Sequence, residues 1–107
     1  MATLIEQAGT QRVVLESECI VGRSPRCSLR IENAMISAVH ACVRWTPDGW
    51  QVRDLGSRNG TFLNGARITS SDGAAVRRGD KLAFGTLDVV WELLDETPPE
   101  PMAVGEN

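Results

Sequence analysis

The 107-residue chain has no tyrosine, a single histidine (His40) and a single lysine (Lys81). Long apolar runs are missing as well. None approaches the ~20 residues of a membrane-spanning helix, and no charged-then-apolar leader opens the sequence, so neither a membrane protein nor a secreted one is expected. Cysteine is scarce. Cys19, Cys27 and Cys42 are odd in number and irregularly spaced, which argues against a disulfide framework and for a reducing, cytoplasmic setting. No segment shows ten residues of helical period between caps. Gly-x-Ser-x-Gly and Cys-x-x-Cys are both absent, which removes the nucleophile elbow and the commonest zinc spacing.

What is present suffices for one compact domain and not for two. Hydrophobic residues make up 42% of the chain, enough for a core and too many for wholesale disorder. The net charge of −3 conceals an asymmetry. Glu92, Asp95, Glu96, Glu100 and Glu106 follow Trp91 with no basic partner, leaving 11 basic against 9 acidic residues before them. Between positions 20 and 70 seven arginines (Arg23, Arg26, Arg30, Arg44, Arg53, Arg58 and Arg67) face three acids (Glu32, Asp48 and Asp54). Arginine suits planar, bidentate recognition of a discrete anion. An extended nucleic-acid footprint needs more positive charge than this, so no nucleic-acid partner is expected.

The hydrophobic period is close to two, with turn residues every eight to twelve positions, the pattern of an all-β sandwich. Strands are expected at 3–7, 11–16, 19–21, 28–31, 40–45, 50–53, 61–63, 67–69, 74–76, 81–84 and 87–94, about eleven in all. Asn64-Gly65 is the strongest hairpin signal, because both central positions of such a turn need positive φ. Residues 1–95 therefore read as the folded domain. Residues 96–107, acidic and broken by Pro98, Pro99 and Pro101, read as a flexible tail or linker. Alternate loops of a sandwich gather at one end. The loops at 22–28, 32–39 and 56–60 then offer Arg23, Ser24, Arg26, Ser37, Ser57, Arg58 and Asn59, donors with hardly an acceptor among them.

Three motifs lie in these loops in order: Gly22-Arg23-Ser24, Ser37-Ala38-Val39-His40-Ala41, and the twelve residues from Asp54 to Gly65, Asp-Leu-Gly-Ser-Arg-Asn-Gly-Thr-Phe-Leu-Asn-Gly. Together they resemble the forkhead-associated (FHA) domain, a phosphothreonine-peptide-binding family. The likeness runs from about residue 4 to residue 94. It implies an eleven-stranded antiparallel β-sandwich with recognition loops at one end. It also implies an interaction module without cofactor, metal or reaction, whose partner is a phosphothreonine-containing protein from a Ser/Thr protein kinase pathway.

Under that resemblance Arg23 supplies a fork for two phosphate oxygens, Ser37 a hydroxyl for a third, and Arg58 extends the positive rim. Asn59 is expected to tolerate a strained turn and to pair its amide with the main chain of the peptide. Gly22, His40 and Gly60 support the loops, and Ser24, Arg26 and Ala38 form the rim. Ala38 departs from the family pattern, where Arg, Asn or Lys is common. That departure keeps open a phosphate-independent interaction or dimerisation module on the same fold.

Other readings of single residues carry less. Ser37, His40 and Asp54 are the residue types of a hydrolase triad, but a Ser and His three apart in a turn make no nucleophile elbow. Cys42 is expected to point from a strand into the core, and Trp45, Trp50 and Trp91 to pack rather than stack on bases. Arg78-Gly79-Asp80 reads as a turn. Thr97-Pro98 in the tail is a candidate kinase acceptor whose phosphorylated form docks into the domain's own site.

Overall fold

A computed structural model describes residues 2–7, 9, 11–69 and 73–99. Among them are eleven strands: β1 (Thr3–Glu6), β2 (Arg12–Val14), β3 (Glu18–Gly22), β4 (Leu29–Arg30), β5 (Ala41–Thr46) and β6 (Gly49–Asp54) come first. β7 (Thr61–Leu63), β8 (Ala66–Arg67), β9 (Ala74–Ala75), β10 (Lys81–Phe84) and β11 (Val90–Asp95) follow. They form two sheets, ordered β2-β1-β11-β10-β7-β8 and β4-β3-β5-β6-β9. The all-β sandwich expected from the short period is what the chain adopts. The connection between the strands expected at 3–7 and 11–16 lies partly outside the described residues, and the tail from Glu100 onward lies wholly outside them.

The expectation of a wholly antiparallel sandwich is corrected at one edge, where β3 and β4 pair parallel, Val21 opposite Leu29 and Gly22 opposite Arg30. Parallel pairing normally needs a long crossover. Here β4 has two residues, so the 23–28 loop returns only about 7 Å along the strand. The Ile31 amide closes the pairing on Gly22 O at 2.8 Å.

Several strand boundaries also differ from expectation, and at β8 and β11 the turns show why. Asn64 (φ 52°) and Gly65 (φ 86°) both adopt the left-handed turn the sequence called for. So tight a turn pairs Leu63 directly with Ala66, and β8 runs over Ala66–Arg67 instead of starting at Arg67. β11 begins at Val90 and not at Leu87, because the Thr86 hydroxyl accepts the Asp88 amide at 3.1 Å and curls the chain into a turn.

The core lies between the sheets and is filled by alternate residues: Val21 from β3, Val43 from β5, Trp50 and Val52 from β6, Leu82 and Phe84 from β10, and Trp91 and Leu93 from β11. Trp45 packs edge-to-face on Trp50 with centroids 5.4 Å apart, so the tryptophans are packing residues as expected. Cys42 is corrected. Its neighbours Ala41 and Val43 enter the core cluster, so alternation sends Cys42 to the opposite face of β5, where it is nevertheless buried. Burial, then the nearby Glu18 carboxylate, raises its thiol pKa. Cys19, inside the core, is pushed up to about 12, mainly by burial. All three cysteines are free.

The ends of the sandwich differ. The 23–28, 31–40 and 55–60 loops and the β10–β11 turn gather at one pole. The β5–β6 turn, the Arg78-Gly79-Asp80 turn and the end of β11 gather at the other. Past β11 the chain stays on the domain as far as Thr97, whose carbonyl accepts the Trp50 indole N–H at 2.8 Å. Arg77 meets Glu96 at 2.8 Å beside it.

Candidate functional site

Ser37 sits between β4 and β5 and takes its position from three backbone bonds. Its carbonyl accepts the Arg23 amide at 3.0 Å, tying the first loop to the second. Its own amide donates to His40 Nδ1 at 3.1 Å. Its Oγ accepts the Arg58 amide at 3.1 Å, tying the third loop to the second. A hydroxyl that accepts from a neighbour still has its proton to donate. Among the described residues that proton has no acceptor in the protein.

His40 is fully buried and braces the loops from beneath. Since Nδ1 accepts from Ser37, the ring proton belongs on Nε2, which donates to Gly60 O at 2.7 Å. The ring stands edge-on to Phe84, 6.0 Å between centroids. Both nitrogens are committed, so His40 neither deprotonates the Ser37 hydroxyl nor presents a free ligand atom. Gly60, with φ +92°, supplies the left-handed turn that turns its carbonyl toward the histidine.

Asp54, at the end of β6, organises the third loop. Its Oδ2 accepts the amides of Gly56 and Ser57, and its Oδ1 accepts the hydroxyls of Ser57 and Thr61. Ser57 Oγ in turn accepts the Gly60 amide at 2.9 Å. Burial pushes the Asp54 carboxyl pKa up, but these donors outweigh it and hold the acid below its ordinary range.

The three loops enclose a hollow of about 200 Å³ lined by Arg23, Ala34, Met35, Ile36, Ser37, Ala38, Arg58 and Asn59. Arg23 and Arg58 are its only charged residues, and both are exposed. The Arg23 main chain is pinned by the Arg30 Nε bond to its carbonyl at 3.1 Å, and Arg30 pairs with Glu32 at 2.9 Å. An open concavity with two guanidinium groups, a free hydroxyl proton and no carboxylate can take up an anion with several acceptor oxygens.

Four expected residues, Arg23, Ser37, Arg58 and Asn59, meet in this hollow, and Ala38 joins them. Ser24 and Arg26 do not line it. Ser24 Oγ instead accepts the Arg26 amide at 3.2 Å, and Ser24 N donates to Ala38 O at 3.1 Å. Gly22 is buried under Ala38: a Cβ there would lie 2.2 Å from Ala38 O and 2.8 Å from Cys27 Sγ. Asn59 does not occupy a left-handed conformation, since Asn64 is the one non-glycine residue with positive φ among those described. Its Nδ2 donates to Met35 O at 2.8 Å, bridging two loops. Sequence reasoning passed over Met35 and the loop-organising role of Asp54. A Gly and a Ser two and three residues after an Asp are an available turn signal for the latter; nothing local marks Met35.

The FHA domain family model matches residues 19–85. The chain belongs to the FHA domain family. An ABC transporter ATP-binding/permease protein of Mycobacterium tuberculosis is 38% identical over 71 residues, covering 66% of this chain and 8% of that protein. The FHA domain-containing protein FhaB of Mycolicibacterium smegmatis is 37% identical over 78 residues, 67% of this chain and 49% of that protein. This FHA domain thus spans half or less of the length of either relative. The N-terminal FHA domain of Rad53p from S. cerevisiae, solved in complex with a phosphothreonine peptide, superposes with a TM-score of 0.76 at 19% identity, covering 90% of this chain and 93% of that one. That likeness shows the shared fold.

Proposed function

We propose that this FHA domain binds phosphothreonine-containing peptides of partner proteins modified by a Ser/Thr kinase, through the hollow between its three loops, and that it recruits such partners without catalysing a reaction on them. Arg23 grips the phosphate, Ser37 donates its hydroxyl proton to it, and Arg58 and its neighbours complete the positive rim. One face of Asn59 holds the Met35 loop, which leaves its Oδ1 for a main-chain N–H of the peptide. What supports the reading above all is the Ser37 hydroxyl, which lines the hollow, accepts the Arg58 amide and keeps its proton available for a ligand. The protein–protein role in a reducing compartment agrees with three unpaired thiols. No helix among the described residues is long and apolar enough to cross a membrane.

Charge-assisted hydrogen bonds contribute about 1.5–3 kcal/mol each. Arg23→Ala is expected to weaken phosphothreonine-peptide binding roughly 30- to 150-fold at 1.4 kcal/mol per decade. Calorimetric titration of the wild type and the variant, with the unphosphorylated peptide as control, tests it. Equal affinity for phosphorylated and unphosphorylated peptides would instead favour a phosphate-independent interaction module.

A further inference from the structure

The most acidic segment of the chain and its arginine-bearing hollow lie at opposite poles. Glu92, Asp95 and Glu96 precede Thr97 without a basic residue among them. Thr97 is exposed, unpaired with any strand, and followed by Pro98 and Pro99. Its hydroxyl donates to Asp95 Oδ1 at 2.6 Å, and its amide donates to the same oxygen at 2.9 Å. Those two bonds, together with the Trp50 indole on its carbonyl, hold the segment against the β5–β6 end of the sandwich.

The hollow is at the other pole. A Cβ on Gly85, at the β10–β11 turn, would lie 2.3 Å from the carbonyl of the pocket residue Met35. From that turn β11 runs away for its full length, with Val90 opposite Ala83 and Glu92 opposite Lys81. Six residues at about 3.3 Å each separate the two levels by about 20 Å. Thr97 lies two residues beyond Asp95, a reach of about 7 Å. To enter its own hollow it would have to peel β11 back past Leu93, which is fully buried.

We propose that Thr97, once phosphorylated, docks in the hollow of a second copy of this chain, so that modification drives head-to-tail association. This rests on the phosphothreonine reading of the hollow and adds its partner. The modification is phosphoryl transfer from a nucleoside triphosphate by a protein kinase. The Thr97 Oγ–phosphorus bond forms, the γ-phosphorus–oxygen bond of the triphosphate breaks, the hydroxyl proton is lost and the diphosphate leaves. A phosphate on Oγ ends the hydroxyl's donation to Asp95 and sets about two negative charges beside that carboxylate and Glu96. Repulsion from Asp95 then loosens the segment's hold on Trp50, opposed by Arg77, which already pairs with Glu96 at 2.8 Å, while the arginines of another copy attract it. One hollow and one phosphorylated tail per chain make a heterologous contact, which closes into rings or extends into open chains.

The test is sedimentation velocity on the 107-residue chain carrying phosphothreonine at position 97, introduced by peptide ligation, beside the unmodified chain. The modified chain is expected to gain mass with concentration relative to the unmodified one. Excess of an unrelated phosphothreonine peptide, or phosphatase, should reverse the gain. A modified Arg23→Ala chain supplies a tail without a working hollow; mixed with unmodified chain it should give a one-to-one complex and nothing larger. Placing Arg23→Ala in the acceptor as well should weaken that complex at least 30-fold. If an unrelated phosphothreonine peptide binds but the modified chain keeps the mass of the unmodified one, the inference is overturned and the pocket reading stands. A modified chain that stays monomeric yet has lost affinity for that peptide has docked on itself, which also overturns it. If no phosphothreonine peptide binds, the pocket reading itself fails.

Discussion

Asp54 is the side chain on which the third recognition loop depends, although it does not line the hollow. Removing its carboxylate frees two hydroxyls and two amides at once. Asp54→Ala is expected to cost on the order of 2 kcal/mol in urea denaturation and to weaken phosphopeptide binding through the displaced Arg58–Asn59 segment. The pH dependence has a definite sign. The folded-state pKa lies below the ordinary aspartate value of 3.8, so the stabilisation is complete above that value and is lost as pH falls through the folded pKa. The wild type should therefore lose stability below about pH 4 more steeply than Asp54→Ala does; parallel denaturation curves would refute the assignment. Arg23, Ser37, Arg58 and Asn59 were legible in the sequence because they sit in contiguous motifs. Met35 was not, because it reaches the hollow through contacts with Asn59 and Gly85, 24 and 50 positions away.

At the scale of strands and turns, the two Asn-Gly pairs look alike in sequence and serve different ends. Asn64-Gly65 is a hairpin turn far from the hollow, with Asn64 also bonded to the Lys81 amide at 2.9 Å. Gly65→Val forces a branched side chain to φ 86°. It should cost about 1–2 kcal/mol of stability, read as a lower urea midpoint, while phosphopeptide affinity is unchanged. A fall in affinity in the folded variant would show that the hairpin reaches the site. All eleven strands were visible in the alternation, because a period of two survives even in short segments. Their ends were not. Val90 opens β11 because the hydroxyl of Thr86, four residues before it, captures the chain, and β4 is parallel because a short loop can return over two residues. Both outcomes depend on competition between hydrogen bonds that alternation does not register.

At the scale of the molecule, the distribution of charge matters more than its total. Arg23 and Arg58 line the hollow with no carboxylate beside them, so the attraction proposed there for a dianion is one that salt screens. Raising ionic strength from 0.01 to 0.1 M shortens the Debye length from about 30 to about 10 Å. Phosphopeptide affinity should fall over that range, chiefly through slower association; a constant association rate would deny the arginines a role in attracting the ligand. The pairing of Thr3 with Asp95 has a separate consequence. The first and last strands, β1 and β11, thus begin and end side by side, at the pole remote from the hollow. Adjacent strand ends of this kind let a domain be joined to other sequence on one side while its opposite pole stays open to solvent.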